Sequence, residues 1–430
     1  MTADLRAMLE RLRQSALEAA APFAAVRSAW PTAMGDSRGP VHVLATGKAS
    51  LAMAQAAADL LGPRIASLIA TTPPGIAEDA WWRRSGTSVY ACDHPYPTER
   101  NVHAAEEVGA WMSRRPAGGH VLALISGGAS AHLCLPAAGL SLDDVVGVSR
   151  SLMRAGATIR EINCVRKHIE QLKGGRLALR CSARTLTSMI LSDVLGDPLD
   201  VVSSGPTVPD PTTFAEALNV LSRRGCEDAA PAVRDFLQRG ARGEHEETPK
   251  SEEDLRISAR TCVIASNARV VEACAAAAAR DGFAVVEKRT LVEGEARDLG
   301  VSLAGAVARQ PPRVPAAIIW GGEPTVTVTG PGGRGGPSQE LALTFLAEAS
   351  EALAGRRWGL LALSTDGRDG PSDGAGAVLT DEHTSVDLAA LRAALDAHDT
   401  QAALARLGAL IPAFASGTNL NHVYCVLLPA

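Results

Sequence analysis

Aromatic residues are scarce: six Trp, three Tyr and six Phe make up 3% of the 430 residues. A core must therefore be assembled from Ala, Val, Leu and Ile, which suits helices packed on a parallel sheet. Also missing is any long basic run, and the formal net charge is −5, so nucleic acid is not an expected partner. An anionic ligand would have to be held by local Lys, Arg and backbone N–H groups. Eight cysteines (Cys92, Cys134, Cys164, Cys181, Cys226, Cys262, Cys274 and Cys425) form no CxxC pair, which removes the usual zinc spacing. Set among apolar and small residues, they read as reduced thiols acting as small hydrophobes. No stretch is apolar for long enough to span a bilayer. The opening MTADLRAMLERLRQSALEAA is a charged amphipathic helix containing acids, not a signal or transit peptide. The expected location is the cytoplasm, with no membrane partner.

What is present is globular: 46% hydrophobic, 21% charged, with 40 glycines, several clustered where apolar runs end. Short apolar runs alternate with helical patterns, the signature of a parallel sheet with crossover helices. Candidate strands are Val41–Ala45, Ser67–Thr71, Ser88–Ala91, His120–Ile125, Thr185–Leu191, Thr261–Ala265, Ala284–Glu287, Ala316–Ile319, Thr325–Thr329, Leu360–Leu363 and Val423–Leu428. Helical stretches include Leu51–Leu61, Asn101–Met112, Ile159–Leu172 and Arg269–Arg280. The acidic segment ARGEHEETPKSEED at 241–254 has no hydrophobic period and reads as an exposed linker. It would separate a domain over 1–240 from one over 255–430, and the last strand could join either sheet.

Six loops carry candidate chemistry. Gly47-Lys48-Ala49-Ser50 follows a strand and opens a helix, where free N–H groups and a lysine attract phosphate. It is not a Walker A loop, because His42 stands where that motif needs glycine. Ser126-Gly127-Gly128-Ala129-Ser130 follows another strand, and its paired glycines allow close backbone approach to an anion. INCVRKHIEQLKGGRLA, at 162–178, places Arg166 and Lys173 two helical turns apart with Lys167 beside them, and Gly174-Gly175 reads as a C-cap. A solvated basic face has the same pattern, and His168 there reads as a satisfied polar residue.

Asp193 and Asp197 follow a wholly apolar strand, where a carboxylate can bind Mg²⁺ or orient a hydroxyl. Asp197, before Pro198, reads equally as an Asx turn. Gly321-Gly322-Glu323 and the glycine-rich loop from Gly330 to Gly336, with Arg334 in it, point to a ligand contact, since so much glycine is entropically unfavourable. Asp366, Asp369 and Asp373 alternate with glycines after a strand. The strand context argues against an EF-hand and for a cluster near a catalytic centre.

Taken in order, GKAS at 47–50, DHPYPTERN at 93–101, SGGAS at 126–130, the 162–178 segment, SDVLGD at 192–197 and SSGPTVPDPTT at 203–213 match one pattern. GGEPTVTV at 321–328, GRGGPSQELAL at 333–343, TDGRDGPSDGAGA at 365–377 and GTNLN at 417–421 complete it. Ten such segments across the chain resemble the glycerate 2-kinases whose C-terminal half is called MOFRL. The resemblance implies an α/β enzyme with a Rossmann-like parallel-sheet domain, a second α/β (MOFRL) domain and an active site in the cleft between them. It implies ATP and Mg²⁺ as cofactors and glycerate as substrate, with monomer or homodimer left open. Lys48 and Asp193 resemble the catalytic pair.

The implied substrate- or phosphate-binding set is Gly47, Ser50, Ser126, Gly127, Gly128, Ser130, Arg166, Lys173, Asn267, Glu323, Arg334, Gly335, Gly336, Glu340, Asp366 and Asp369. Asp193 and Asp197 are the candidates for Mg²⁺. Two departures stand out: Pro337-Ser338 where the family usually has Arg-Asn, and His422 where it has Asp. The rival readings are a hydroxypyruvate- or tartronate-type reductase, which the TGKAS turn disfavours because it lacks GxGxxG, and a non-catalytic anion-binding protein.

Overall fold

The computed structural model describes residues 4–35, 38–83, 86–115, 118–311, 314–330 and 332–430. Contacts divide the chain into two compact units, Pro22–Ile264 and a second made of Met1–Ala21 with Ala265–Ala430. The helix Leu5–Ala20 (α1) thus joins the C-terminal half, where it packs on the helix Asn267–Arg280, not the sheet that follows it in sequence. The eight cysteines are unpaired. Among the described residues no helix is long and apolar enough to cross a membrane.

The unit Pro22–Ile264 is built on six strands: β1 (Val41–Thr46), β2 (Ile65–Thr72), β3 (Thr87–Ala91), β4 (His120–Ile125), β5 (Thr185–Leu191) and β6 (Ser258–Ala265). Their order is β3-β2-β1-β4-β5-β6, with β1 to β5 paired in parallel. All six residues of β1 are buried, as expected when helices cover both faces of a parallel sheet. Leu44, Ile69, Val121, Ala123, Ile125, Leu186 and Ile190 lie in one core cluster. The strand order reverses between β1 and β4, the place where open sheets of this kind leave a crevice at their carboxyl edge. The alanine-rich helix Ser50–Leu61 (α2) starts there, and no side chain caps its first turn.

Two expectations change here. The segment 241–254 is not a free linker: Thr248 and Pro249 are buried, Thr248 Oγ1 donates to Asp210 Oδ2 at 3.0 Å, and Glu247 Oε1 lies 2.9 Å from His168 Nε2. The helix starting at Ile159 (α3) ends at Ile169, three residues early, because Glu170 turns extended and bridges to Pro136. Gly174 and Gly175, both with positive φ, therefore do not cap it; their N–H groups donate to Ser204 O (3.0 Å) and Gly205 O (2.7 Å).

The other unit holds β7 (Ala284–Glu295), β8 (Ala316–Thr325), β9 (Gly359–Ser364), β10 (Gly374–Thr380), β11 (Leu410–Pro412) and β12 (His422–Leu428) in the order β11-β10-β9-β12-β8-β7. Only β7 and β8 pair in parallel; β12 runs antiparallel between β8 and β9, which settles the sheet it joins. No strand covers 326–329: Thr327 N and Oγ1 are taken by the Glu295 carboxylate instead of a ladder. The strand β10 went unpredicted because it opens Gly-Ala-Gly. Pairing overrides that composition, and a Cβ on Gly376 would lie 2.0 Å from Ala362 O. The helix Asn267–Arg280 (α4) and the helix Pro337–Ala352 (α5) cover this sheet.

Candidate active site

Three strand ends of the first unit meet through their loops. Gly47 (φ +101) lies so close to the β4 loop that a Cβ there would be 2.4 Å from Ser126 O. Lys48 N donates to Gly127 O at 2.9 Å, Ala49 N to Ser126 Oγ at 3.1 Å, and Ser126 Oγ to Thr46 O at 3.1 Å. At the uncapped start of α2, Ser50 is buried and its hydroxyl has no hydrogen-bond partner. An uncapped helix N-terminus beside an orphaned hydroxyl is suited to an anion.

The two glycines after Ser126 seat the two candidate catalytic side chains. A Cβ on Gly127 would fall 2.3 Å from Asp193 Oδ2, and one on Gly128 (φ +88) would fall 3.2 Å from Lys48 Cγ and 3.3 Å from His94 Cδ2. Burial pushes the Asp193 carboxyl above its ordinary pKa, against its own peptide N–H and the Lys48 charge. Burial and Lys48 together lower the pKa of His94. Beneath them His132 is fully buried, which lowers its pKa to about 4; its Nδ1 lies 3.5 Å from Thr71 Oγ1 and its Nε2 has no partner. Sequence reasoning missed both histidines. His94 lay inside DHPYP, and His132 follows SGGAS on the same short helical turn.

Ser130 is tied down on both sides. Its Oγ lies 2.8 Å from Ser204 Oγ and accepts from Arg166 Nη1 at 3.1 Å. Its carbonyl accepts from Arg166 Nη2 at 3.1 Å and from Lys173 Nζ at 2.6 Å. Arg166 and Lys173 are consequently not a solvated basic face, nor free to meet a ligand. Lys167 points elsewhere, to Asp210 Oδ1 at 2.5 Å. His168 is satisfied by Cys164 O (2.7 Å) and Glu247. Asp197 sits at the end of a backbone turn in the left-handed region (φ 52), its N–H donating to Val194 O at 3.1 Å. Among the described residues no three His, Cys, Asp or Glu side chains are gathered as a metal site.

The remaining candidates belong to the other unit, and most are committed within it. Asp369 is wholly buried and accepts from Ser338 N (2.9 Å) and Gln339 N (2.8 Å), so it caps α5 instead of facing a ligand. Glu340 is buried against Arg297 (2.6 Å) and His398 (3.2 Å). Arg334 is exposed and paired with Asp373 at 2.8 Å. The glycines around it serve packing: a Cβ on Gly335 would be 2.2 Å from Thr400 Oγ1, and one on Gly336 would be 2.2 Å from the Asp369 carbonyl carbon. Residue 331 of this loop lies outside the described residues. Asn267 Nδ2 bridges Leu420 O and His422 O, both at 2.9 Å. Asp366 accepts from Ser364 Oγ (2.9 Å) and Arg368 N (2.8 Å), and Glu323 is exposed.

A family model described as "Domain of unknown function (DUF4147)" matches residues 8–238, and one for the MOFRL family matches 316–422. The chain is 36% identical to a glycerate 2-kinase of Pyrococcus horikoshii, over 99% of this chain and 98% of that one. It is 34% identical to a D-glycerate 2-kinase of Thermotoga maritima, over 99% of each. The chain belongs to the glycerate kinase family. A crystal structure of the Thermotoga maritima glycerate kinase superposes with a TM-score of 0.87 at 33% identity over 99% of each chain. A protein of Agrobacterium vitis described as a putative hydroxypyruvate reductase is 36% identical over 98% of this chain and 94% of its own. As a member of the glycerate kinase family this chain is an enzyme, and its DUF4147 match spans the Lys48 and Asp193 loops.

Proposed function

We propose that the chain transfers the γ-phosphoryl group of ATP to the 2-hydroxyl of D-glycerate, forming 2-phosphoglycerate and ADP and releasing the hydroxyl proton. The observation that carries the reading is the seating of Asp193 against Gly127 and of Lys48 against Gly128, on one turn at the carboxyl ends of adjacent strands. The names of the full-length kinase relatives support it. Phosphoryl transfer needs positioning and charge stabilisation more than covalent chemistry by the protein.

The residues fit these groups. A phosphate suits the start of α2, where Gly47 leaves no room for a side chain and the Ser50 hydroxyl is unpartnered. Mg²⁺ would be held by phosphate oxygens with Asp197, leaving Asp193 as the base, and when bound it neutralises phosphate charge. Lys48 provides a positive charge beside the transferred group. Asp193 accepts the proton of the attacking hydroxyl, and its burial, which raises its pKa, makes it a stronger base. The Gly127–Ser130 turn orients the acceptor.

The test is product NMR with ATP, Mg²⁺ and a panel of three- and four-carbon hydroxy acids. Wild type should phosphorylate D-glycerate. Lys48→Ala and Asp193→Asn should each stay folded and lower kcat by roughly 10²-fold or more. NAD(P)H-dependent reduction of hydroxypyruvate without any ATP use would replace this reading with the reductase one.

A further inference from the structure

Glu170 is fully buried, and it stands between the buried Lys173 and the half-buried Arg166. Arg166 Nε donates to its Oε1 at 2.7 Å, and Lys173 Nζ lies 3.1 Å from its Oε2. Both cations also donate to one residue, Ser130: its carbonyl receives two charged donors and its hydroxyl a third, while Lys173 Nζ further reaches Leu133 O at 3.4 Å. Ser130 closes the turn whose glycines seat Asp193 and Lys48.

We propose that Glu170 is a positioning residue, which fixes Arg166 and Lys173 so that they clamp Ser130 and hold the Gly127–Ser130 turn in its working geometry. The proposal rests on the reading of that turn as the phosphoryl-transfer site. Two cations around one carboxylate leave a positive excess, and the Ser130 carbonyl is where its N–H groups are directed. Buried ion pairs are poor devices for stability alone, since desolvation offsets most of their attraction. Burial lowers the Lys173 pKa, and the Glu170 carboxylate opposes that shift. The same chain segment also serves the facing loop. Gly174 and Gly175 donate to Ser204 O and Gly205 O, and Ser204 Oγ meets Ser130 Oγ. One stretch, 166–175, therefore sets two loops at once.

Glu170→Gln keeps the shape and removes the charge. Arg166→Lys keeps the charge and loses the fork, so it tests the clamp even if the first variant fails to fold. Hydrogen exchange by mass spectrometry should show amides across 129–133 exchanging roughly tenfold faster or more in either variant, with 41–46 unchanged. In the kinase assay kcat should fall by roughly 10- to 100-fold with KM for both substrates nearly constant, because geometry and not ground-state binding is lost. The double variant should be little worse than either single one, as for residues acting as a unit. Unchanged exchange at 129–133 together with kcat within twofold of wild type overturns the clamp. If that result accompanies an active wild type and an inactive Lys48→Ala, only the positioning role falls. If wild type phosphorylates nothing, the phosphoryl-transfer reading falls and the exchange measurement alone decides the clamp.

Discussion

Ser338 and His422, two positions at which this chain departs from the usual pattern of its family, touch each other: Ser338 Oγ and His422 Nδ1 are 2.8 Å apart. They meet at the start of α5, where Asp369 Oδ1 lies 3.8 Å from the same His422 nitrogen. Burial lowers the His422 pKa, against the pull of Asp369 and Asp366. Ser338→Ala should therefore destabilise by about 1 kcal/mol, the net worth of one neutral hydrogen bond. His422→Asp restores the family residue but sets a second carboxylate beside buried Asp369, and should destabilise by about 3–5 kcal/mol. Adding Pro337→Arg and Ser338→Asn should recover part of that loss. Urea unfolding of these proteins and of the Pro337→Arg/Ser338→Asn variant alone decides it; additive effects of that pair and His422→Asp would mean the positions are not coupled.

Gly127→Ala isolates the seat of Asp193. The new methyl would meet the end of a side chain, so Asp193 moves while the backbone stays. We expect little change in Tm and a fall in kcat of roughly 10²-fold, the scale of a small misplacement of a reacting group. Retained activity would remove the contact from the mechanism.

Lys167 and Asp210 form a buried pair at 2.5 Å, with both side chains almost wholly enclosed. Burial pushes the Asp210 pKa up, but Lys167 outweighs it and the folded value lies below the ordinary one. A lowered carboxylate pKa contributes stability above the unfolded pKa and loses it as pH falls through the folded pKa, so this contribution fades below about pH 4. Asp210→Asn should destabilise at pH 7 by about 3 kcal/mol, because buried Lys167 loses its close partner and keeps only Asp200 at 3.4 Å, and should flatten the acid limb of the stability profile. Unfolding within 1 kcal/mol of wild type at pH 7 would contradict this.

Arg334 and Gly336 separate charge from packing in one loop. Arg334→Ala removes an exposed ion pair and should alter stability by less than about 1 kcal/mol, with kcat/KM for ATP close to wild type. Gly336→Ala drives a methyl into the Asp369 backbone and should destabilise by about 1–3 kcal/mol. A large loss of kcat/KM in Arg334→Ala would return that arginine to the phosphate.

How much of this could be read in the sequence follows from the range of each interaction. The strands β1, β2, β4 and β5 and the loops after them were legible because apolar runs ending in glycine are local signals. Lys48, Asp193 and the paired glycines stand at those ends. The partners were not legible. Nothing near Arg166 or Lys173 announces that they turn onto Ser130, and Asp369 needs α5 before its capping role exists. Glu340, part of the binding set that the family resemblance implies, is instead bonded to Arg297 and His398. The pattern of α1 showed an apolar stripe but not which surface would cover it.

That stripe has a consequence for the order in which the chain is made. Leu5, Leu9, Leu12 and Ala16 are covered by α4, β9 and β12, and β12 ends at Leu428. At synthesis rates of about 5–20 residues per second, the helix is left without its docking surface for roughly 20–80 s while the rest of the chain emerges. The unit Pro22–Ile264 can close on itself in that interval, while the first helix remains a sticky end. Chaperone dependence during translation should therefore track α1: replacing Leu9 and Leu12 with polar residues would relieve the nascent chain even as it weakens the finished protein.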